Sequence, residues 1–466
     1  MATQTLIDPA TRSYRTVNPA TGELVREFAT ATEAEAEALL AQAHAAYLGW
    51  REIPVPERVA LFSRLVDLFQ ERIDEFARMV TLEMGKPLAQ SQLEATTVVS
   101  IFKYVAANGE RLLAEEVVDV PGQRRTVTRL EPVGVALGIE PWNAPLYQAM
   151  RATAPNVMLG NTVLLKPAEI SPGSTLLFDS LFLDAGFPEH VYQTALVSIA
   201  QVSTYIADPR IRAITLTGSD RAGSSVGEQA GRQVKPVVLE LGGSDAFVVL
   251  ESADVPKAAA IAAMTRLFIS GQICTSPKRI IVTEGVAGEF IAAFVQVYAN
   301  QVVGDPFDAA TTVGPLSSAA GVDLLQGQYE DAIDKGATVL VPGGRVDGPG
   351  SFFTPAVITD VTATMRLFHE EAFGPLAVIY RVPDADSAIR LANGSQYGLS
   401  GTVFGEDLKE ACRVADALDT GMVGINTFFG APAEVPFGGT KRSGFGRELG
   451  RTGFAQFANV KSYSIG

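Results

Sequence analysis

Cys274, in the run GQICTS, lies 34 positions after Glu240, in the run VLELGG, and the chain has only two cysteines. A thiol and a carboxylate together suit acyl chemistry on a carbonyl: the sulfur attacks as its thiolate and the carboxylate acts as general base on water. A free cysteine is mostly protonated at neutral pH, with a pKa of about 8.5, so a working nucleophile needs help from its surroundings. Histidine is the usual helper, but His44, His190 and His369 are the only three and none carries a local signature, so a protease-like Cys and His dyad is not expected. Gly271 and Gln272 break the preceding helical run, and Thr275, Ser276 and Pro277 follow, which places the sulfur at a loop-to-helix junction. Cys412, inside an amphipathic helix with Ala411, Val414 and Leu418, reads as structural. Glu240 stands inside the apolar run VVLEL, where a carboxylate is costly to bury without a function or a partner.

A third part comes from EPWNAPLYQAMR. Pro141 and Pro145 fix the backbone around Asn143, whose amide could donate to a developing oxyanion or serve as a plain helix N-cap. TGSDRAG, from Thr217 to Gly223, follows a strand and opens a helix, where backbone N–H groups and the helix dipole attract a phosphate. No GxGxxG follows an early strand. GFGRELG, from Gly444 to Gly450, imitates one but has no βαβ unit after it and is dismissed as a phosphate loop.

The elements that must position these residues can be read from periodicity. Leu61, Leu65, Leu68, Phe69, Ile73, Phe76 and Val80 recur at helical spacing and predict one long amphipathic helix from Arg58 to Gly85, with Pro87 just beyond. VVSIFKYVAANGERLL is a second helical stretch, and VVDVPGQRRTVTRLEP reads as a β-hairpin turning near Pro121 and Gly122. A helix from about Pro145 to Leu159, ending at Gly160, precedes the strand TVLLK; IRAITLTG and VKPVVLELGG are further strands. This alternation predicts a parallel, doubly wound sheet, which binds ligands beyond the carboxyl ends of its strands. Lys166, Gly218 with Ser219, and Glu240 with Gly242 fall at those ends. A second α/β unit begins near Gly242 with FVVLE, RIIVTE, ATVLVPGG and LAVIYRV, and FANVKSYSI closes the chain as a strand.

At 466 residues the chain exceeds the size at which one core stops growing, so two or three domains are expected. A net charge of −15 disfavours nucleic acid and anionic membrane as partners. Two cysteines rule out a disulfide scaffold. The start, MATQTLIDPATRSYR, has no apolar h-region, and Arg266 interrupts the apolar run AAAIAAMTRLFIS, so neither a signal peptide nor a membrane span is expected; a cytoplasmic protein is the default.

Taken in order, PWN at 141–143, LLKPAE at 164–169, TGS at 217–219, LELGG at 239–243, GQIC at 271–274, EEAFGP at 370–375 and PFGGTKRSGFGRELG at 436–450 resemble the NAD(P)-dependent aldehyde dehydrogenases, from TVNPATGELV to the final strand. The resemblance implies a Rossmann-like α/β dinucleotide domain over 1–114 and 133–241, a second α/β catalytic domain over 242–442, and a small β oligomerisation element over 115–132 and 443–466. It implies that Cys274 attacks the aldehyde, that Asn143 and the Cys274 amide hold the thiohemiacetal oxygen, and that Glu240 activates the water that hydrolyses the thioester. No metal is called for. On the cofactor side it implies Glu140, Pro141, Trp142, Lys166, Glu169, Thr217, Gly218, Ser219, Leu241, Gly242, Glu371 and Phe373. Glu169, matched to the ribose, accepts from a 2′-hydroxyl and repels a 2′-phosphate, so NAD is expected over NADP. Tyr147, Arg151, Phe268 and Phe428 are the substrate-side residues; in succinate-semialdehyde dehydrogenases of the family an arginine matching Arg151 binds the distal carboxylate, the other reading being a structural arginine on a neighbouring carboxylate. Ala144 replaces the usual aromatic residue, Phe268 replaces a second arginine of some members, and Phe428 with Phe429 adds apolar surface, which leaves a bulkier aromatic or aliphatic aldehyde as the alternative. A CoA-acylating relative and a catalytically silent homologue are the remaining alternatives. A homodimer or homotetramer is implied as well.

Overall fold

The computed structural model describes residues 13–430 and 432–466, so the first twelve residues, including most of the expected leaderless start, lie outside the described residues. Two large sheets carry the architecture.

The first sheet contains β1 (Val135–Ile139), β2 (Thr162–Lys166), β3 (Tyr192–Thr194), β4 (Ile211–Thr217) and β5 (Val237–Glu240), all mutually parallel, in the spatial order 3-2-1-4-5. The order reverses between β1 and β4, the switch point at which doubly wound sheets bind their ligands. Successive residues alternate between two apolar layers. Val135, Leu137, Ile214 and Leu216 pack on one face, and Ala136, Leu165, Ala213 and Val238 on the other. Helices cover both faces, which is why these strands read as continuous apolar runs.

The second sheet contains β6 (Asp245–Val249), β7 (Pro277–Thr283), β8 (Thr338–Val341), β9 (Ala356–Thr359), β10 (Leu376–Val382), β11 (Ser400–Phe404) and β12 (Met422–Ile425). Their order is 8-9-10-7-6-11-12, parallel except where β8 meets β9. β13 (Gly444–Phe445) returns from the far end of the chain and pairs antiparallel with β5, setting Gly444 opposite Glu240. A separate three-stranded sheet joins Glu116–Val118, Arg125–Pro132 and Ala458–Ile465. Among the described residues no helix is long and apolar enough to cross a membrane.

The single helix expected from Arg58 to Gly85 is two helices, Val55–Glu71 and Ile73–Met84, broken at Arg72 and closed at the left-handed Gly85. Phe69 and Phe76 are seven apart and would be separated by about 10 Å along a straight helix. The break brings their ring centroids to 4.7 Å, and both rings pack on Phe178. Apolar packing outweighs helix continuity at that point. Cys412 is exposed on its helix, whose buried face carries Ala411, Val414 and Ala415.

Candidate active site

α1 (Pro145–Leu159) starts with proline in its first turn and stops at Gly160 in the left-handed region, φ 110°. Its N-cap is Ala144, without a side-chain bond, so Asn143 is no cap. The capping work falls to Glu94, whose carboxylate accepts from the backbone N–H groups of Leu146 (2.8 Å) and Tyr147 (2.9 Å). Lys86, fully buried, pairs with Glu94 and donates to the Asn143 carbonyl at 3.2 Å. The Asn143 side chain is thereby free for another purpose. Its amide donates to the Gln272 carbonyl (2.9 Å), its oxygen accepts from Gln148 (3.0 Å), and one N–H is left for a ligand.

Cys274 does not open a helix, contrary to expectation. α2 (Val255–Leu267) ends in a 3₁₀ turn at Phe268–Gly271, and the sulfur-bearing turn leads directly into β7, because the β-branched run after Pro277 extends as a strand. Ile269, Ser270 and Gly271 are consecutive left-handed residues, with φ of 53°, 53° and 75°. Such strain persists only where its surroundings fix it. Here Gln90 accepts from the Ile269 N–H (2.7 Å) and Ser270 donates to the Gly314 carbonyl (2.9 Å). The buried guanidinium of Arg266 donates to the carbonyls of Gly271, Ala372, Gly374 and Leu376, tying the cysteine loop to the segment carrying Glu371 and Phe373. A Cβ on Gly243 would lie 2.5 Å from the Cys274 carbonyl, so only glycine lets the connection from β5 to β6 pass there.

These elements form one cleft of about 220 Å³ at the carboxyl ends of β1, β4 and β5. Asn143, Cys274 and Glu240 line it together with Pro141, Trp142, Thr217, Gly218, Ser219, Leu241, Gly242, Glu371 and Phe373. Gln148, which no sequence signal singled out, lines it too. Trp142 and Phe373 stand edge to face at 5.8 Å as an aromatic wall. Lys166 and Glu169 are paired at 2.8 Å past the end of β2, one strand beyond the cleft. Ser219 caps the thirteen-residue helix Asp220–Arg232, accepting from the Ala222 N–H. A dinucleotide fits this set: a switch point, a helix N-terminus facing it, an aromatic wall, and a carboxylate at the end of β2.

Burial governs the electrostatics. The Cys274 thiol, half-buried at the cleft, is pushed up to about 11 by burial, against the opposing pull of Lys278 and Arg151. Neither Glu240 carboxylate oxygen has a hydrogen-bond partner among the described residues, and burial raises its pKa well above the usual range, opposed by Arg151 and reinforced by Glu448. A Cβ on Gly438 would sit 2.5 Å from Glu240 Oε1, so that glycine keeps the carboxyl's space open. Glu140 is itself buried, outside the cleft lining, and its pKa is raised by burial and by the repulsion of Glu448.

Arg151 takes the second of the two arrangements the sequence left open. It is 1% exposed, ion-paired with Glu448 and bonded to Thr217 Oγ1 at 2.9 Å, with the rings of Phe437 and Tyr147 at 4.2 and 5.2 Å from its guanidinium carbon. Burial alone would depress its pKa; Glu448, Tyr147, Glu240 and Glu140 raise it instead. Arg151 lies outside the cleft lining and holds Glu448 and Thr217, an arrangement that favours the structural reading over the clamp. Tyr147 is half-buried with its ring against the Arg151 guanidinium, and Phe268 and Phe428 are half-buried; all three lie outside the cleft lining. Glu448 lies in the very run, GFGRELG, dismissed as a phosphate loop.

The aldehyde dehydrogenase family profile matches residues 6–463. A succinate-semialdehyde dehydrogenase [NADP(+)] of Deinococcus radiodurans is 48% identical over 450 residues, 97% of this chain and 94% of that one. One of Mycobacterium avium is 43% identical over 454 residues, 97% and 96% of the two chains. Among solved structures, the succinic semialdehyde dehydrogenase of Streptococcus pyogenes in complex with NADP+ superposes with a TM-score of 0.95 at 37% identity, covering 97% of this chain and 99% of that one. A betaine aldehyde dehydrogenase of Staphylococcus aureus in complex with NAD+ gives 0.93 at 30%, covering 98% and 92%.

Proposed function

The chain belongs to the aldehyde dehydrogenase family, and from that premise we propose that it oxidises succinate semialdehyde to the dicarboxylic acid, with Cys274 as nucleophile, Asn143 as oxyanion donor and Glu240 as deacylation base. The carrying observation is that these three side chains, Asn143 and Glu240 lying 131 and 34 positions before Cys274, line one cleft at the switch point. The Cys274 thiolate adds to the aldehyde carbon, and the free N–H of Asn143 meets the oxygen as it gains charge. NAD(P), when bound, accepts the hydride that leaves the thiohemiacetal carbon. Glu240, with both oxygens free of partners among the described residues, takes a proton from the water that attacks the thioester.

The relatives' activity supports the carboxylated substrate. One observation favours a neutral aromatic or aliphatic aldehyde instead: neither lysine nor arginine is among the residues lining the cleft, while Trp142 and Phe373 are. An aldehyde panel separates the two. A kcat/KM for succinate semialdehyde no higher than for uncharged aldehydes would overturn the first reading.

For the cofactor we infer a preference for NAD: Glu169, paired with Lys166 at 2.8 Å past the end of β2, would accept from a ribose 2′-hydroxyl and repel a 2′-phosphate. The relatives from Deinococcus radiodurans and Mycobacterium avium carry NADP(+) in their names, whereas the Staphylococcus aureus structure holds NAD+, so the comparison of kcat/KM with the two dinucleotides is decisive. Homo-oligomerisation through the three-stranded sheet is supported by its exposed Val117, Val118, Val460 and Ile465. A monomer in analytical ultracentrifugation would refute it.

A further inference from the structure

Lys278, the second residue of β7, is a buried cation that makes two hydrogen bonds and one ion pair, all within the site. Its Nζ donates to the carbonyls of Ile273 (2.6 Å) and Cys274 (2.5 Å) and pairs with Glu371 Oε1 at 3.0 Å, with the Phe373 ring 5.9 Å away. The side chain is 2% exposed. A neutral donor could hold two carbonyls without the desolvation penalty that a buried ammonium carries, so its charge needs a use. Resting on the reading of Cys274 as nucleophile, we propose that Lys278 is a positioning residue for that thiol: it fixes the loop that presents the sulfur and supplies the positive charge against which the thiolate forms.

The charges around the sulfur make the role specific. Lys278 and Arg151 favour the thiolate, while Glu371 and Asp245 oppose it and the Tyr147 phenol lies nearby. Arg151 is spent on Glu448. Lys278 is opposed by Glu371, with which it pairs, and by Asp245, buried, bonded to Ser400 and pushed up to about 7. Glu371 also accepts from the Gly243 N–H (3.2 Å), which divides its charge between two donors. Lys278 is therefore the strongest local source of positive potential for Cys274.

The test uses the protein without dinucleotide or aldehyde, in a Cys412→Ser background so that only one thiol reacts. Alkylation of Cys274 by iodoacetamide is followed from neutral to alkaline pH. Lys278→Met should move the midpoint upward by about one to two units, lowering the neutral-pH rate roughly tenfold or more. Lys278→Arg, which keeps the charge, should restore most of the shift. Glu371→Gln, which removes the opposing charge, should move the midpoint downward. A Lys278→Met profile superimposed on the parent's, or an equal shift in Lys278→Arg, would overturn the proposal. If Lys278→Met does not fold, Glu371→Gln decides it: an unmoved midpoint overturns it. Loss of aldehyde oxidation in Cys274→Ser tests the nucleophile reading separately, so the two failures cannot be confused.

Discussion

Replacing Arg151 by methionine separates a structural cation from a substrate clamp. The guanidinium is buried between two rings and carries an ion pair with Glu448 and a bond to Thr217, with Glu140 and Glu240 also in its field. Removing one partner of a buried pair costs about 3–5 kcal/mol, because the other charge is left without compensation. Lost ring contacts add about 0.5–1 kcal/mol each, partly recovered by the methionine's own packing. Arg151→Met should therefore destabilise by about 3–5 kcal/mol in urea unfolding of the domain that carries it. Arg151→Met with Glu448→Gln should recover about 2–3 kcal/mol of that, as coupled neighbours do in a double-mutant cycle. Kinetically, a structural cation leaves the ratio of kcat/KM for succinate semialdehyde over a neutral aldehyde of similar length nearly unchanged. A clamp would give the opposite pattern: parent-like stability, an additive cycle, and a KM for the carboxylated aldehyde alone raised by about tenfold or more. That pattern would refute the geometric argument.

Glu240→Gln should give a normal burst of NADH and then stall, with steady turnover down by about 10²–10⁴-fold; steady turnover at the parent rate excludes Glu240 as the base. Gly438→Ala, which would push a Cβ to 2.5 Å from Glu240 Oε1 at φ 151°, should slow deacylation by about 10²-fold while sparing the burst. Because the Cys274 thiol is raised to about 11, its alkylation in the parent should climb about tenfold per pH unit through neutral and alkaline pH; a plateau below pH 8 would contradict the buried, desolvated setting. Glu169→Gln should shift the preference toward NADP by about 1–2 kcal/mol, roughly tenfold in relative kcat/KM, and an unchanged ratio would remove Glu169 as the determinant.

Local periodicity carried most of the fold. The helix Pro145–Leu159 with its Gly160 stop, the strands TVLLK and IRAITLT, and the hairpin at Pro121 stand where spacing and turn residues put them. What failed was decided by packing at a distance. The break at Arg72 exists because Phe178, more than a hundred residues on, gathers Phe69 and Phe76. Cys274 precedes a strand because β7 pairs between β6 and β10, and no local cue at Gly271 outweighs those ladders. The supporting groups were hidden for the same reason: Arg151 and Glu448 are 297 positions apart, and Lys278 meets Glu371 across two loops. Charged residues in such runs look alike until the fold brings their partners to them.

The two reacting groups share one electrostatic constraint. Burial holds both the Cys274 thiol and the Glu240 carboxyl toward their uncharged forms, so the resting cleft avoids two desolvated anions facing each other. The proposed reaction never needs both anions together. Attack requires the thiolate, and by the time water must be activated the sulfur is a neutral thioester. Glu240 can then lose its proton with no sulfur charge to repel it, and Arg151, fixed by Glu448, and Arg447 are the cations that favour that loss. Acylation and deacylation should accordingly show separate pH dependences: the burst rate follows the thiol, and the steady rate follows the carboxyl, both rising as pH rises. Stopped-flow bursts and steady rates that share one midpoint in the parent, and still share it in Lys278→Met, would show that a single ionisation controls both steps.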